Sequence, residues 1–186
     1  MKRLVIITVG KTHSGKTTFA QKLEQQLYNS VVIDRDTHAE FINTFYKSML
    51  PKQGANTLKN AISRTIVDYA VHETGLHLIL CNANRGRTGR LDLLEYFQLK
   101  GFVRILVHFD IPDQVLEARV AGSQRSTAIF RSASTFEEVL LRQQAETDHG
   151  DVIAPAEDEA DYLFVIKDSS EVPATLQKIV DIAQNL

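Results

Sequence analysis

The chain has 186 residues, 44% of them hydrophobic and 24% charged, with a formal net charge of -2. That length suits one domain, residues 1–186, with a sizeable core. The charge balance excludes a global basic field that would recruit nucleic acid or an anionic membrane. The single cysteine, Cys81, excludes an internal disulfide and a cysteine-cluster metal site, and its apolar neighbours predict a buried thiol. The apolar run Leu4–Val9 is too short for a signal peptide or a membrane span, so a cytoplasmic location without a membrane partner is expected.

In chain order, residues 3 to 9 predict a β-strand, and a helix follows from Lys16 to about Tyr28 with Phe19, Leu23 and Leu27 on its buried face. Between them stands Gly10-x-x-x-x-Gly15-Lys16-Thr17, a glycine-rich phosphate loop in its required strand-to-helix context. The glycines let the loop fold back and approach a phosphate. The backbone N–H groups of residues 13 to 17 would then form an anion cradle at the positive end of the helix. Lys16 is placed to reach the β- and γ-phosphates, the Thr17 hydroxyl to hold Mg²⁺, and Thr18 to touch the α-phosphate. Residues 10 to 18 are thus the candidate ATP-binding set: Gly10, Lys11, Thr12, His13, Ser14, Gly15, Lys16, Thr17 and Thr18. His13 occupies a position where a third glycine is common. Histidine tolerates positive φ better than most residues, so a structural role is expected for it.

Val31 to Ile33 predict a second strand, followed by Asp34-Arg35-Asp36 and a helix capped at Thr37 by the Thr37-x-x-Glu40 box, running to about Met49. Asp34 and Asp36 therefore fall at the carboxyl end of a strand, where open α/β sheets bind ligands. They are equally the residue type that favours a helix dipole without further role. A turn at Pro51 to Gly54 precedes a helix over 57–73, with Leu58, Ile62, Ile66 and Tyr69 on its inner face. Residues 76–81 form a third strand, nearly all apolar, as a central strand is. A basic loop with Arg85, Arg87 and Arg90 follows. It is either an anionic-acceptor site or a solvated loop. A helix then starts near Leu91 and a fourth strand covers 102–109. Pro112 opens a helix carrying Arg119, and residues 121–133, with Arg125 and Arg131, read as a mobile lid. A helix capped at Ser134, a fifth strand over 162–166 and a closing helix from about Pro173 complete the chain.

The alternation predicts an α/β protein: a P-loop NTPase three-layer α/β/α fold around a parallel sheet. Phosphoryl transfer asks for a phosphate cradle, a metal, positive charge on the transferred group and a carboxylate facing the acceptor. Asp36 is the candidate base, with Asp34 the candidate second Mg²⁺ residue beside Thr17. Arg125 and then Arg119 are candidates for closing onto the phosphates, with Arg131 as a third. Asn82 stands where P-loop enzymes usually place a strand-three acid. The absence of Asn-Lys-x-Asp and of Asp-x-x-Gly weighs against a GTPase switch.

Taken together, the phosphate loop, Asp34-Arg35-Asp36, Asn82-x-Asn84 with Arg90, and Phe109-Asp110-Ile111-Pro112 with Arg119 and Arg125 resemble the small P-loop kinases of nucleoside-monophosphate-kinase-like fold. The polynucleotide 5′-hydroxyl kinase domain is one relative, and uncharacterised bacterial ATP-binding proteins share the pattern. The resemblance implies a five-stranded sheet in the order 2-3-1-4-5, Asp36 as general base, an arginine lid over 119–131 and adenine packing near Asp168 to Ser170. ATP and Mg²⁺ are the implied cofactors. The chain departs from the polynucleotide kinases at His13, Ala39 and Asn82. Ala39 replaces an arginine of their acceptor motif, which favours a small-molecule hydroxyl acceptor, anionic or not, over a nucleic-acid end. The alternative reading is a nucleotide-binding module or slow ATPase that works through a partner.

Overall fold

The computed structural model describes residues 2–131 and 133–186. Five strands, β1 (Arg3–Gly10), β2 (Ser30–Asp34), β3 (His77–Cys81), β4 (Phe102–Phe109) and β5 (Tyr162–Ile166), form one sheet in the order β2-β3-β1-β4-β5. All four pairings are parallel. The helices are α1 (Lys16–Gln26), α2 (Arg35–Phe45), α3 (Thr57–Glu73), α4 (Arg87–Leu99), α5 (Asp113–Ala121), α6 (Phe136–Ala145) and α7 (Val172–Gln184).

Strand β1 lies in the middle and is apolar on both faces, as a strand covered by helices on both sides must be. Its alternation splits the core in two. Leu4 and Ile6 face α1, α5, α6 and α7 through Phe19, Leu23, Leu116, Phe136, Leu140, Leu176 and Ile179. Val5, Ile7 and Val9 face α3 and α4 through Ala70, Val71, Leu94 and Phe97. These are the expected three layers. Cys81 is buried, and burial foremost pushes its thiol up to about 12. No helix among the described residues is long and apolar enough to cross a membrane.

The boundaries differ from expectation in instructive places. Helix α2 is capped by Asp34, whose carboxylate accepts from the Asp36 N–H at 2.8 Å, and not by Thr37. The strand ends on a residue that can itself cap, so the cap falls three residues earlier and Asp36 lies in the first turn of the helix. It ends at Phe45, and a separate 3₁₀ turn covers Lys47–Met49. Helix α6 is capped by Thr135, which accepts from the Glu138 N–H, one residue after the expected Ser134.

Helix α3 keeps its expected span but not its expected face. Ile66 and Tyr69 are exposed, while Val67, Ala70 and Val71 pack on the sheet. The helix lies flat against its neighbours through small side chains, and the larger ones are left outside. Helix α4 begins at Arg87 and not Leu91, drawing Arg90 into the protein.

Candidate active site

The carboxyl ends of β1, β2 and β3 open onto one cavity of about 890 Å³, within the size range of small-molecule sites. The phosphate loop forms its floor. Gly10 sits at φ 150° with its N–H bonded to the Ala83 carbonyl at 2.9 Å, so the loop is fastened to the β3–α4 connection. A Cβ on Gly10 would lie 2.9 Å from the Phe109 carbonyl oxygen, which is why no larger residue fits. Gly15, at φ 101°, is the N-cap of α1 and offers no side-chain cap. The first amides of α1 therefore remain for an anion.

Lys16 folds back over the loop, donating to the Lys11 carbonyl and to Ser14 Oγ. Burial foremost lowers its ammonium from 10.5 to about 8, with Arg125 adding to the effect and the carboxylates of Asp36 and Asp34 opposing it. A polyphosphate entering the loop would supply the missing counter-charge. Thr17 Oγ1 donates to Asp34 Oδ2 at 3.4 Å, which brings the candidate metal hydroxyl and its candidate carboxylate together across β1 and β2. Asn82 lines the same wall.

His13 adopts φ 58°, the left-handed conformation that a glycine would otherwise supply. Its side chain turns to the lid: Nε2 pairs with Ser123 Oγ at 2.7 Å, and the ring meets Phe136 edge-on with centroids 4.7 Å apart. Burial foremost, then Arg125 and Lys16, lowers its pKa and favours the neutral ring.

Two members of the loop turn elsewhere. The Lys11 ammonium pairs with Asp113 at 2.6 Å, and the Thr12 N–H is taken by Gln143 Oε1 at 2.7 Å. The Lys11 ammonium and the Thr12 N–H are thus engaged within the protein, while Thr12 itself lines the cavity. Thr18 is exposed on the cavity rim.

The candidate base Asp36 is paired with Arg125 at 2.9 Å, a contact that joins α2 to the segment after α5. The Arg125 guanidinium also lies 5.4 Å from the Phe136 ring centroid. Arg119 donates to the His13 carbonyl at 3.0 Å and to Ser169 Oγ at 2.8 Å, tying the loop to the turn expected near adenine. The expected lid is tethered at several points. Asn43 Nδ2 donates to the carbonyls of Ala128 and Phe130, and Ile129 and Phe130 pack on the core. Ser132, inside the expected lid, lies outside the described residues.

The arginines after β3 form no acceptor site. Arg90 is 1% exposed and bidentate to the buried Glu159, at 2.7 and 3.0 Å. Arg87 also reaches Glu159, and Arg85 pairs with Glu146. These charges hold the β3–α4 connection to the segment before β5. Asn56, Lys59 and Arg131 also line the cavity. Sequence reasoning passed over Lys59. The signal available was Asn56, whose side chain accepts from the Lys59 N–H and fixes that lysine in the first turn of α3.

A parallel sheet ordered 2-3-1-4-5, a glycine-rich loop after β1 and acids at the tip of β2 define a P-loop α/β protein built as the small kinases are. The AAA domain family matches residues 5–148, and the chain belongs to that family. No curated protein matches it. Solved structures share the fold across nearly their whole length. Chaetomium thermophilum Kti12 in complex with ADP-AlF3 is 17% identical with a TM-score of 0.63, the alignment covering 95% of this chain and 97% of that one. The Mycobacterium tuberculosis APS kinase CysC, in complex with AMPPNP and APS, is 16% identical with a TM-score of 0.61 over 98% of both chains. Shikimate kinase from Bacteroides thetaiotaomicron is 16% identical with a TM-score of 0.59, over 97% of this chain and 98% of that one.

Proposed function

We propose that this protein transfers the γ-phosphoryl group of ATP to a hydroxyl of a small molecule. The observation that carries the reading is the convergence of three parts on one cavity. These are the phosphate loop with Lys16, the Thr17–Asp34 pair, and Asp36 opposite them in the grip of Arg125. The nucleotide complexes of Kti12 and the APS kinase support ATP as the donor. Thr17 and Asp34 are hard oxygen donors side by side, a set that suits Mg²⁺ completed by water and phosphate oxygens. Bound there, Mg²⁺ would supply charge neutralisation at the β- and γ-oxygens.

The chain's own groups then divide the work. Loop amides and Lys16 hold the phosphates, and Arg119, on the cavity wall, braces the loop through the His13 carbonyl. Asp36 accepts the proton of the acceptor hydroxyl as its oxygen bonds to the γ-phosphorus and the bond to ADP breaks. Arg125 holds that carboxylate oriented until the acceptor arrives, and then shifts onto the phosphoryl oxygens.

ADP formation from Mg-ATP, measured over a panel of hydroxyl acceptors, tests this. Asp36→Asn should lower acceptor-dependent turnover by about 100-fold or more, and Lys16→Ala should abolish it. Undiminished transfer in Asp36→Asn would remove Asp36 as base. The second reading, a nucleotide-binding module that works through a partner, is favoured by the amide of Asn82 on the cavity wall. Acceptor-stimulated ADP release excludes it.

A further inference from the structure

Several basic side chains near the carboxyl edge of the sheet already own a carboxylate. Lys11 has Asp113, Arg85 has Glu146, Arg87 and Arg90 share Glu159, and Arg125 has Asp36. The cavity holds others that do not. Among the described residues, Lys16, Lys22, Arg119, Lys59 and Arg131 make no ion pair, and all five line it; Lys22 is exposed on α1.

Their positions differ. Lys16 and Arg119 stand on or against the phosphate loop, where the triphosphate answers them. Lys59 and Arg131 come from α3 and the segment after α5, beyond Asp36. Arg131 is steered by the carbonyls of Gly54, at 2.6 Å, and Pro51. Those contacts orient the guanidinium without cancelling its charge. Burial foremost lowers the Lys59 ammonium, Arg35 and Arg131 add to this, and the carboxylates of Asp36 and Asp34 oppose it. Lys59 is half-buried and Arg131 exposed at the cavity edge, and neither has a carboxylate within salt-bridge distance among the described residues, so an anion entering the cavity meets both charges uncompensated.

We propose that the phosphoryl acceptor carries an anionic group besides its hydroxyl, and that Lys59 and Arg131 bind that group. The inference rests on the phosphotransfer reading of the same cavity. It gives the acceptor a polarity: its anion sits between α3 and the lid, and its hydroxyl points back at Asp36. An ammonium beside a guanidinium suits a carboxylate or a phosphate monoester alike. The binding of both elements by one ligand also joins the lid to α3.

The test uses matched acceptors on one carbon skeleton: glucose, gluconate and glucose 6-phosphate, and glycerol, glycerate and glycerol 3-phosphate. ADP formation is followed for wild type, Lys59→Gln, Arg131→Gln and, as a control for charge on the outer face of α3, Arg64→Gln. A charged member should stimulate turnover where its neutral partner does not, and which one does separates carboxylate from phosphate. Lys59→Gln and Arg131→Gln should each raise its KM at least tenfold with a smaller change in kcat, and Arg64→Gln should leave KM in place. Equal use of neutral and charged members, or equal KM changes for both, overturns the anion site while leaving phosphotransfer standing. If no member stimulates turnover, phosphotransfer to such acceptors is what fails. The anion site is then read directly, by calorimetric titration of inorganic phosphate into protein saturated with a non-hydrolysable ATP analogue. A phosphate site present in wild type and lost in Lys59→Gln upholds it, and no site in wild type overturns it.

Discussion

Removing the Glu159 carboxylate should strand a buried charge and destabilise this protein strongly. Arg90 is fully enclosed, and Glu159 is its only carboxylate among the described residues. The guanidinium donates to both carboxylate oxygens and to the carbonyls of Asn84, Arg85 and Ile153. Glu159→Ala leaves that charge buried with carbonyls alone, a loss of about 3–5 kcal/mol. For a chain of this size that corresponds to a fall in melting temperature of about 6–20 °C. Guanidinium unfolding followed by circular dichroism, with thermal melts, measures it. The double variant Arg90→Met with Glu159→Met should recover most of the loss, because replacing both members by apolar groups removes the stranded charge. Burial works to raise the Glu159 carboxyl, but the Arg90 hydrogen bonds and charge outweigh it and hold the group below the usual carboxylate range. Its contribution is therefore complete above the unfolded value, near 4.5, and is lost as pH falls through the lower folded value. A loss under about 1 kcal/mol in Glu159→Ala, or no recovery in the double variant, would refute the reasoning.

Two further outcomes follow from the loop. In the ligand-free protein Lys16 titrates at about 8, and bound phosphate raises that value, so ATP affinity is full below pH 8. It should fall about tenfold per pH unit above it, with proton uptake in calorimetry; a flat affinity from pH 8 to about 9.5 would contradict the assignment. Gly10→Ala places a Cβ 2.9 Å from the Phe109 carbonyl at φ 150°. It should destabilise the fold by about 1–3 kcal/mol and weaken nucleotide binding, and a melt indistinguishable from wild type would show that the loop can relax.

Local signals carried much of this protein into view. The β-branched runs of β1, β4 and β5 and the glycine spacing after β1 encode their structure within a few residues, because strand propensity and a tight turn are near-neighbour properties. The span of α3 was legible for the same reason, but its buried face was not. A helix can bury Val67, Ala70 and Val71 or Ile62, Ile66 and Tyr69 with equal periodicity, and the sheet chooses between them. His13 was legible as a glycine substitute in conformation, yet its bond to Ser123 joins residues 110 positions apart and has no local trace.

Charge shows the division most plainly. Five arginines read alike along the chain: Arg85, Arg87, Arg90, Arg125 and Arg131. Whether a guanidinium faces a substrate or a carboxylate depends on what the fold brings within about 4 Å, and those partners lie far away in sequence. Glu159 claims Arg90 across 69 residues, and Asp36 claims Arg125 across 89. The sequence by itself determined the layered α/β class, the strand order through its resemblance, the phosphate loop and the acids at the tip of β2, since each is written in contiguous residues. Only the tertiary structure decided which cations hold a carboxylate, and left Lys59 and Arg131 without one on the cavity wall, because pairing is a long-range property that no window along the chain contains.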